Sequence, residues 1–113
     1  MSNFKIKSRV WIEVGDNVLV GEGRIKLLKA IEVEGSLAKA AKSIGMSYKK
    51  AWTLVDAVNK SANEAVVTKT VGGTKGGGTV ITPYGNKLIA AFETINKNCW
   101  EFLDQQMKEL NQL

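Results

Sequence analysis

The chain of 113 residues contains no histidine. That absence removes Ser-His-Asp and Cys-His nucleophile arrangements and most zinc sites. The one cysteine, Cys99, excludes an intramolecular disulfide and fits a reducing compartment. No run approaches the roughly 18 apolar residues of a membrane span. Residues 1–9 lack the apolar stretch of a secretory signal. Carboxylates are present, but no pair of them falls among loop glycines or other converging polar residues. The expectation is a single-domain-sized cytoplasmic protein that is not an enzyme, with no metal, no cofactor and no membrane contact.

What is present is positive charge, and it is localised. The net charge is +5. Residues 37–79 hold seven lysines (Lys39, Lys42, Lys49, Lys50, Lys60, Lys69 and Lys75) against Asp56 and Glu64, while the rest of the chain is neutral. A confined basic field suggests a polyanionic partner. A solvated, lysine-rich face that serves only solubility is the plainer reading of the same charges.

The basic region ends in Val71-Gly72-Gly73-Thr74-Lys75-Gly76-Gly77-Gly78-Thr79-Val80. The stretch is not a P-loop, because Lys75 precedes the glycines and no Lys-Ser or Lys-Thr pair closes it. It is not a dinucleotide fingerprint, because the strand-to-helix context is missing. β-branched runs on both sides predict a hairpin with a bare cationic tip rather than a flexible linker.

Periodicity supplies the elements around it. Phe4, Ile6, Val10, Ile12 and Val14 alternate with polar neighbours and predict a half-buried strand, with Gly15-Asp16-Asn17 as a turn and residues 18–20 as its return. A first helix is expected over residues 22–34, ended by Gly35. Ser36 caps a second, which Gly45 stops, and Ser47 caps a third, whose stripe is Ala51, Leu54, Val55 and Val58. Ala38, Ala40 and Ala41 are small enough for two helices to cross closely. A short helix, a three-residue turn and a second helix have helix-turn-helix spacing. In such a motif the start of the third helix, Ser47-Tyr48-Lys49-Lys50, meets base edges. Trp52, one residue off the stripe, is expected at the junction with the following hairpin or the first helix.

Thr82-Pro83 opens the last element, a helix over about residues 83–110. Its seam, Leu88, Phe92, Ile95, Cys99, Phe102 and Leu103, runs further than one small core can cover, so pairing with a second copy is expected. A helix folded back on its own domain is the alternative.

Three strings carry a specific resemblance: Gly35-Ser36 with Ala40-Ala41-Lys42, then Gly45-Met46-Ser47-Tyr48-Lys49-Lys50-Ala51-Trp52, then the glycine stretch with Thr82-Pro83-Tyr84-Gly85 and Leu88-Ile89. Over about residues 22–92 the chain resembles the N-terminal domain of ModE-type molybdate-responsive transcription regulators, and more distantly LysR-type DNA-binding domains. The resemblance implies a mainly α fold with small β elements: a winged helix-turn-helix with an N-terminal β-hairpin (residues 1–82) and a long C-terminal dimerisation helix (residues 83–113). It implies a homodimer bound to double-stranded DNA. It also implies that the segment from Ser47 to Lys50 and the glycine wing contact DNA. Together with the polar and basic residues around them, the expected DNA-binding set is Ser36, Lys39, Lys42, Ser47, Tyr48, Lys49, Lys50, Thr53, Lys69, Thr74, Lys75, Gly76, Gly77 and Gly78. Regulators of that type carry a further molybdate-binding domain. With Leu113 as the last residue, the expectation is a regulator without it, acting alone, beside a separate effector-sensing protein, or as one part of a larger regulator. A protein-interaction module on the same scaffold, or oxyanion binding at the glycine tip, are the alternatives.

Overall fold

The computed structural model describes residues 3–70 and 78–113. Their order is β1 (Trp11–Val14), β2 (Asn17–Gly21), α1 (Glu22–Glu34), α2 (Leu37–Ser43), α3 (Tyr48–Ser61), β3 (Val67–Lys69), β4 (Thr79–Ile81) and α4 (Pro83–Leu110). The fold is mainly helical, with two separate two-stranded antiparallel ladders, β1–β2 and β3–β4.

Punctuation in the sequence sets the helix ends. Gly35 takes φ 73°, and its N–H bonds the Ile31 carbonyl, closing α1 in the left-handed conformation that glycine adopts without strain. The Oγ of Ser36 accepts from the Lys39 N–H at 3.0 Å, and the Oγ of Ser47 from the Lys50 N–H at 3.1 Å. Thr82 Oγ1 accepts from the Gly85 N–H at 2.9 Å ahead of Pro83, which needs no hydrogen bond there. Each cap contributes about 1 kcal/mol.

α1 is the hub, touching β2, α2, α3, β4 and α4. It therefore buries Ile25, Leu27, Leu28 and Ile31 rather than one narrow stripe. Leu19 and Val20 of β2, Leu37, Ala40 and Ala41 of α2, Ala51 and Val58 of α3, Val66 and Val67, and Ile89 and Phe92 of α4 complete the core. Ala40 and Ala41 are fully enclosed where α2 and α3 cross, as their size suggests, whereas Ala38 is exposed.

The N-terminal strand is shorter than its alternation predicts. β2 spans five residues, and the ladder pairs Trp11 with Gly21 and Val14 with Asn17, so residues before Trp11 have no strand opposite them. Residues 3–10 carry no regular secondary structure, with Ile6 and Val10 half-buried. Their far end is fastened to α4, where the Phe4 N–H donates to Asn111 Oδ1 at 2.7 Å. The last turns of α4 stand clear of the core and give the molecule a longest dimension of 63 Å. No described helix is long and apolar enough to cross a membrane.

Candidate nucleic-acid interface

α3 buries Ala51 and Val58 against the core and presents its first turn to solvent. Tyr48, Lys49 and Lys50 are exposed, Tyr48 by 54%. Among the described residues neither lysine is paired with a carboxylate; the ion pairs are Lys29–Glu93, Lys60–Asp56 and Lys97–Glu101. The cap on Ser47 fixes this end of the helix, and the macrodipole adds partial positive charge to the two lysines. Gly45, at φ 68°, turns the chain between α2 and α3.

The β3–β4 hairpin lies along one side of α3. Asn59 fastens it: its Oδ1 accepts from the N–H groups of Val66 at 2.8 Å and Val67 at 3.1 Å, and its Nδ2 donates to the Val67 carbonyl at 2.9 Å. A groove of about 140 Å³ between the two elements is lined by Trp52, Val55, Asn59, Val67 and Thr79. Trp52 thus stands at the junction with this hairpin, with 47% of its surface exposed. A second tie comes from behind, where the Thr79 N–H donates to the Gly35 carbonyl at 3.0 Å.

The residues named from the sequence divide into groups. Lys39, Lys42, Lys49, Lys50 and Lys69 are exposed. Thr53 is exposed too, with its hydroxyl donating to the Lys49 carbonyl at 2.9 Å. Ser36 and Ser47 act as caps, so their oxygens already hold a backbone N–H. Gly78 does not offer a free amide: its N–H donates to Thr70 Oγ1 at 2.6 Å, and a side chain there would meet the Gly35 carbonyl at 3.0 Å. Thr74, Lys75, Gly76 and Gly77 lie outside the described residues. On α4, Phe92 is only 2% exposed and Leu88 packs beside it, so both serve the chain's own core. The exposed part of the seam starts at Ile95 (48%) and includes Phe102 (63%), with Cys99 and Leu103 half-buried.

On its other side α3 faces the β1–β2 hairpin, and here sequence reasoning missed residues. A groove of about 620 Å³ brings Arg9, Trp11 and Arg24 beside Lys50 and Leu54. No spacing rule connects these positions; only the folded hairpin does. Among the described residues, no group of three or more acidic or cysteine side chains is placed to hold a metal ion.

No family model matches the chain. Over all 113 residues it is 34% identical to the molybdenum transport protein ModE of Azotobacter vinelandii, covering 42% of that protein. It is 45% identical to the molybdenum-pterin-binding protein MopB of Rhodobacter capsulatus over 81% of this chain and 34% of that one. It is 40% identical to the DNA-binding transcriptional dual regulator ModE of Escherichia coli K12 over 64% of this chain and 28% of that one. The chain is thus related to proteins named ModE, and it spans less than half the length of these relatives. They are named as transport, binding or regulatory proteins rather than as enzymes.

Proposed function

We propose that this chain is a winged helix-turn-helix DNA-binding module of a molybdate-related transcription regulator. The observation that carries the reading is the start of α3: a capped helix end, locked to the core behind, with Tyr48, Lys49 and Lys50 exposed in front and neither lysine paired with a carboxylate among the described residues. α2 and α3 form the helix-turn-helix and β3–β4 the wing, with residues 1–82 as the DNA-binding unit. Lys49 and Lys50 reach guanine acceptors, Tyr48 bonds bases or phosphates, and Lys39, Lys42, Lys69 and Lys75 hold the backbone. The name of the Escherichia coli relative supports the activity, and those of the other two support the link to molybdenum.

The module works as a homodimer in the cytoplasm. Ile95, Cys99, Phe102 and Leu103 of α4 meet their counterparts in a second copy, and the pair reads half-sites about one helical turn apart or a multiple of that.

Titration of labelled duplex from upstream of the coding region, across several salt concentrations, tests the reading. Binding that weakens steeply with salt is expected, because displaced counterions drive it. A flat log–log slope removes the proposal. Lys49→Ala and Lys50→Ala should also relax sequence preference, whereas Lys75→Ala should weaken all duplexes alike.

A second reading, binding of molybdate or a related oxyanion by this segment itself, is favoured only by the name of the MopB relative. Calorimetry with molybdate and tungstate decides it, and an absence of heat at millimolar anion dismisses it.

A further inference from the structure

A helix lodged in the major groove of B-form DNA has a sugar-phosphate backbone on each of its two sides. The wing accounts for one of them. On the other side of α3 a trough separates the helix from the β1–β2 hairpin. Beside the first half of α3 it is the groove of about 620 Å³ with Arg9, Trp11, Met46, Lys50 and Leu54 on its walls. Beside the second half it continues as a space of about 470 Å³ against Val14, Ala57 and Lys60. Arg24 lines both parts.

Among the described residues four cations therefore border the trough (Arg9, Arg24, Lys50 and Lys60), and Glu22 is the one carboxylate on its walls. Among the described residues only Lys60 of the four is in an ion pair, with Asp56 at 2.9 Å. Arg24 is held in place by its own hairpin: one guanidinium nitrogen donates to the Val18 carbonyl at 2.5 Å and lies 3.4 Å from that of Leu19. Among the described residues the other donors of that fork have no partner, which leaves them able to meet an anion. Trp11 stands at the mouth with 51% of its surface exposed, its indole N–H bonded to Glu13 Oε2 at 2.8 Å. Asp16, in the turn at the tip, opposes phosphate at that end, and Arg24 reaches the Val18 carbonyl between the turn and the base of the hairpin.

We propose that the side of the β1–β2 hairpin that faces α3 is a second backbone clamp. Arg9 and Arg24 hold phosphates of the strand that passes α3 on the side away from the wing, with Lys50 between them and the major groove. The exposed indole face of Trp11 covers an adjoining sugar. This inference rests on the DNA-binding reading, and it adds Arg9, Trp11 and Arg24 to the residues that meet the duplex.

The full chain is titrated with a labelled duplex of arbitrary sequence between about 50 and 200 mM salt, the range over which phosphate contacts separate clearly. Arg9 is exposed and lies outside regular structure, so its replacement spares the fold, which thermal unfolding verifies. In the dimer Arg9→Ala removes one phosphate contact from each copy, so it should flatten the log–log slope by about 1.8 and weaken binding roughly sixtyfold at 0.1 M salt. Arg9→Lys should restore the slope, Trp11→Ala should weaken binding without changing it, and Glu22→Gln should tighten binding. If Arg9→Ala and Trp11→Ala bind as the parent does while Lys49→Ala weakens, the second clamp is wrong and the DNA-binding reading stands. If the parent chain shows no salt-dependent binding at all, both fall together.

Discussion

The side-chain amide of Asn111 holds both backbone groups of Phe4. The Phe4 N–H donates to its Oδ1 at 2.7 Å, and its Nδ2 donates to the Phe4 carbonyl at 3.2 Å. A single asparagine thus takes the part that a neighbouring strand plays in a ladder. Glu22 and Asn96 line one groove, which sets the base of the β1–β2 hairpin beside residue 96 of α4. From there to residue 111 a helix rises about 22 Å. Fully extended, the chain from Phe4 to Trp11 would span about 23 Å, so residues 4–10 are long enough to act as a strap over the last turns of α4.

Asn111→Ala should release that strap. Both bonds are exposed, so the cost to global stability is expected at no more than about 1 kcal/mol. The local effect is the larger one: in hydrogen exchange, amides 4–10 should lose protection while those of α1 keep theirs. Unchanged exchange at Phe4 would show that the amide does not hold the strap.

Asn59 carries a heavier consequence, because its three bonds are partly buried and join α3 to the chain entering β3. Asn59→Ala leaves two N–H groups and one carbonyl without partners, for a loss of about 1–3 kcal/mol in urea unfolding. Asn59→Asp keeps the acceptor but turns an oxygen toward the Val67 carbonyl, so it should recover only part of the loss.

Two glycines in helices should respond with opposite sign. At Gly85 in α4 a methyl group would lie 2.5 Å from the Val66 carbonyl oxygen and 2.8 Å from Ile81 Cγ2. Backbone cannot yield cheaply, and Gly85→Ala should destabilise by about 1–3 kcal/mol despite alanine's better helix propensity. At Gly23 in α1 the same methyl meets nothing within 4 Å, and Gly23→Ala should stabilise by about 0.5 kcal/mol. Thermal unfolding of the two variants side by side checks the contrast.

The dimer proposal predicts that Phe102→Asp, at a side chain 63% exposed in the single chain, converts a dimer to a monomer in sedimentation without unfolding it. Phe92→Ala should instead lower stability by about 3–5 kcal/mol, because its ring is enclosed by its own core. Equal sedimentation of parent and Phe102→Asp would refute α4 pairing through this residue.

The helices were legible because their ends carry chemistry: Gly35, Ser36, Ser47 and Thr82-Pro83 mark boundaries that the structure reproduces. The strand over residues 4–10 was not, because alternation reports a half-buried extended chain but not whether a partner strand lies opposite. In α4 the apolar period continues past Phe92 without change, so it cannot mark where the core ends and an exposed seam begins. The α3 lysines were visible as a local cluster. Arg9, Trp11 and Arg24 were not, since they join Lys50 only through the fold of the first hairpin.

Among the described residues the two ladders share no hydrogen bond, and α3 lies between them. Each hairpin can therefore gain or lose residues at its tip without shifting the register of the other. A related chain could lengthen one arm and shorten the other, changing its footprint on either side of the same helix while the core, and the angle at which α3 is held, stay as they are.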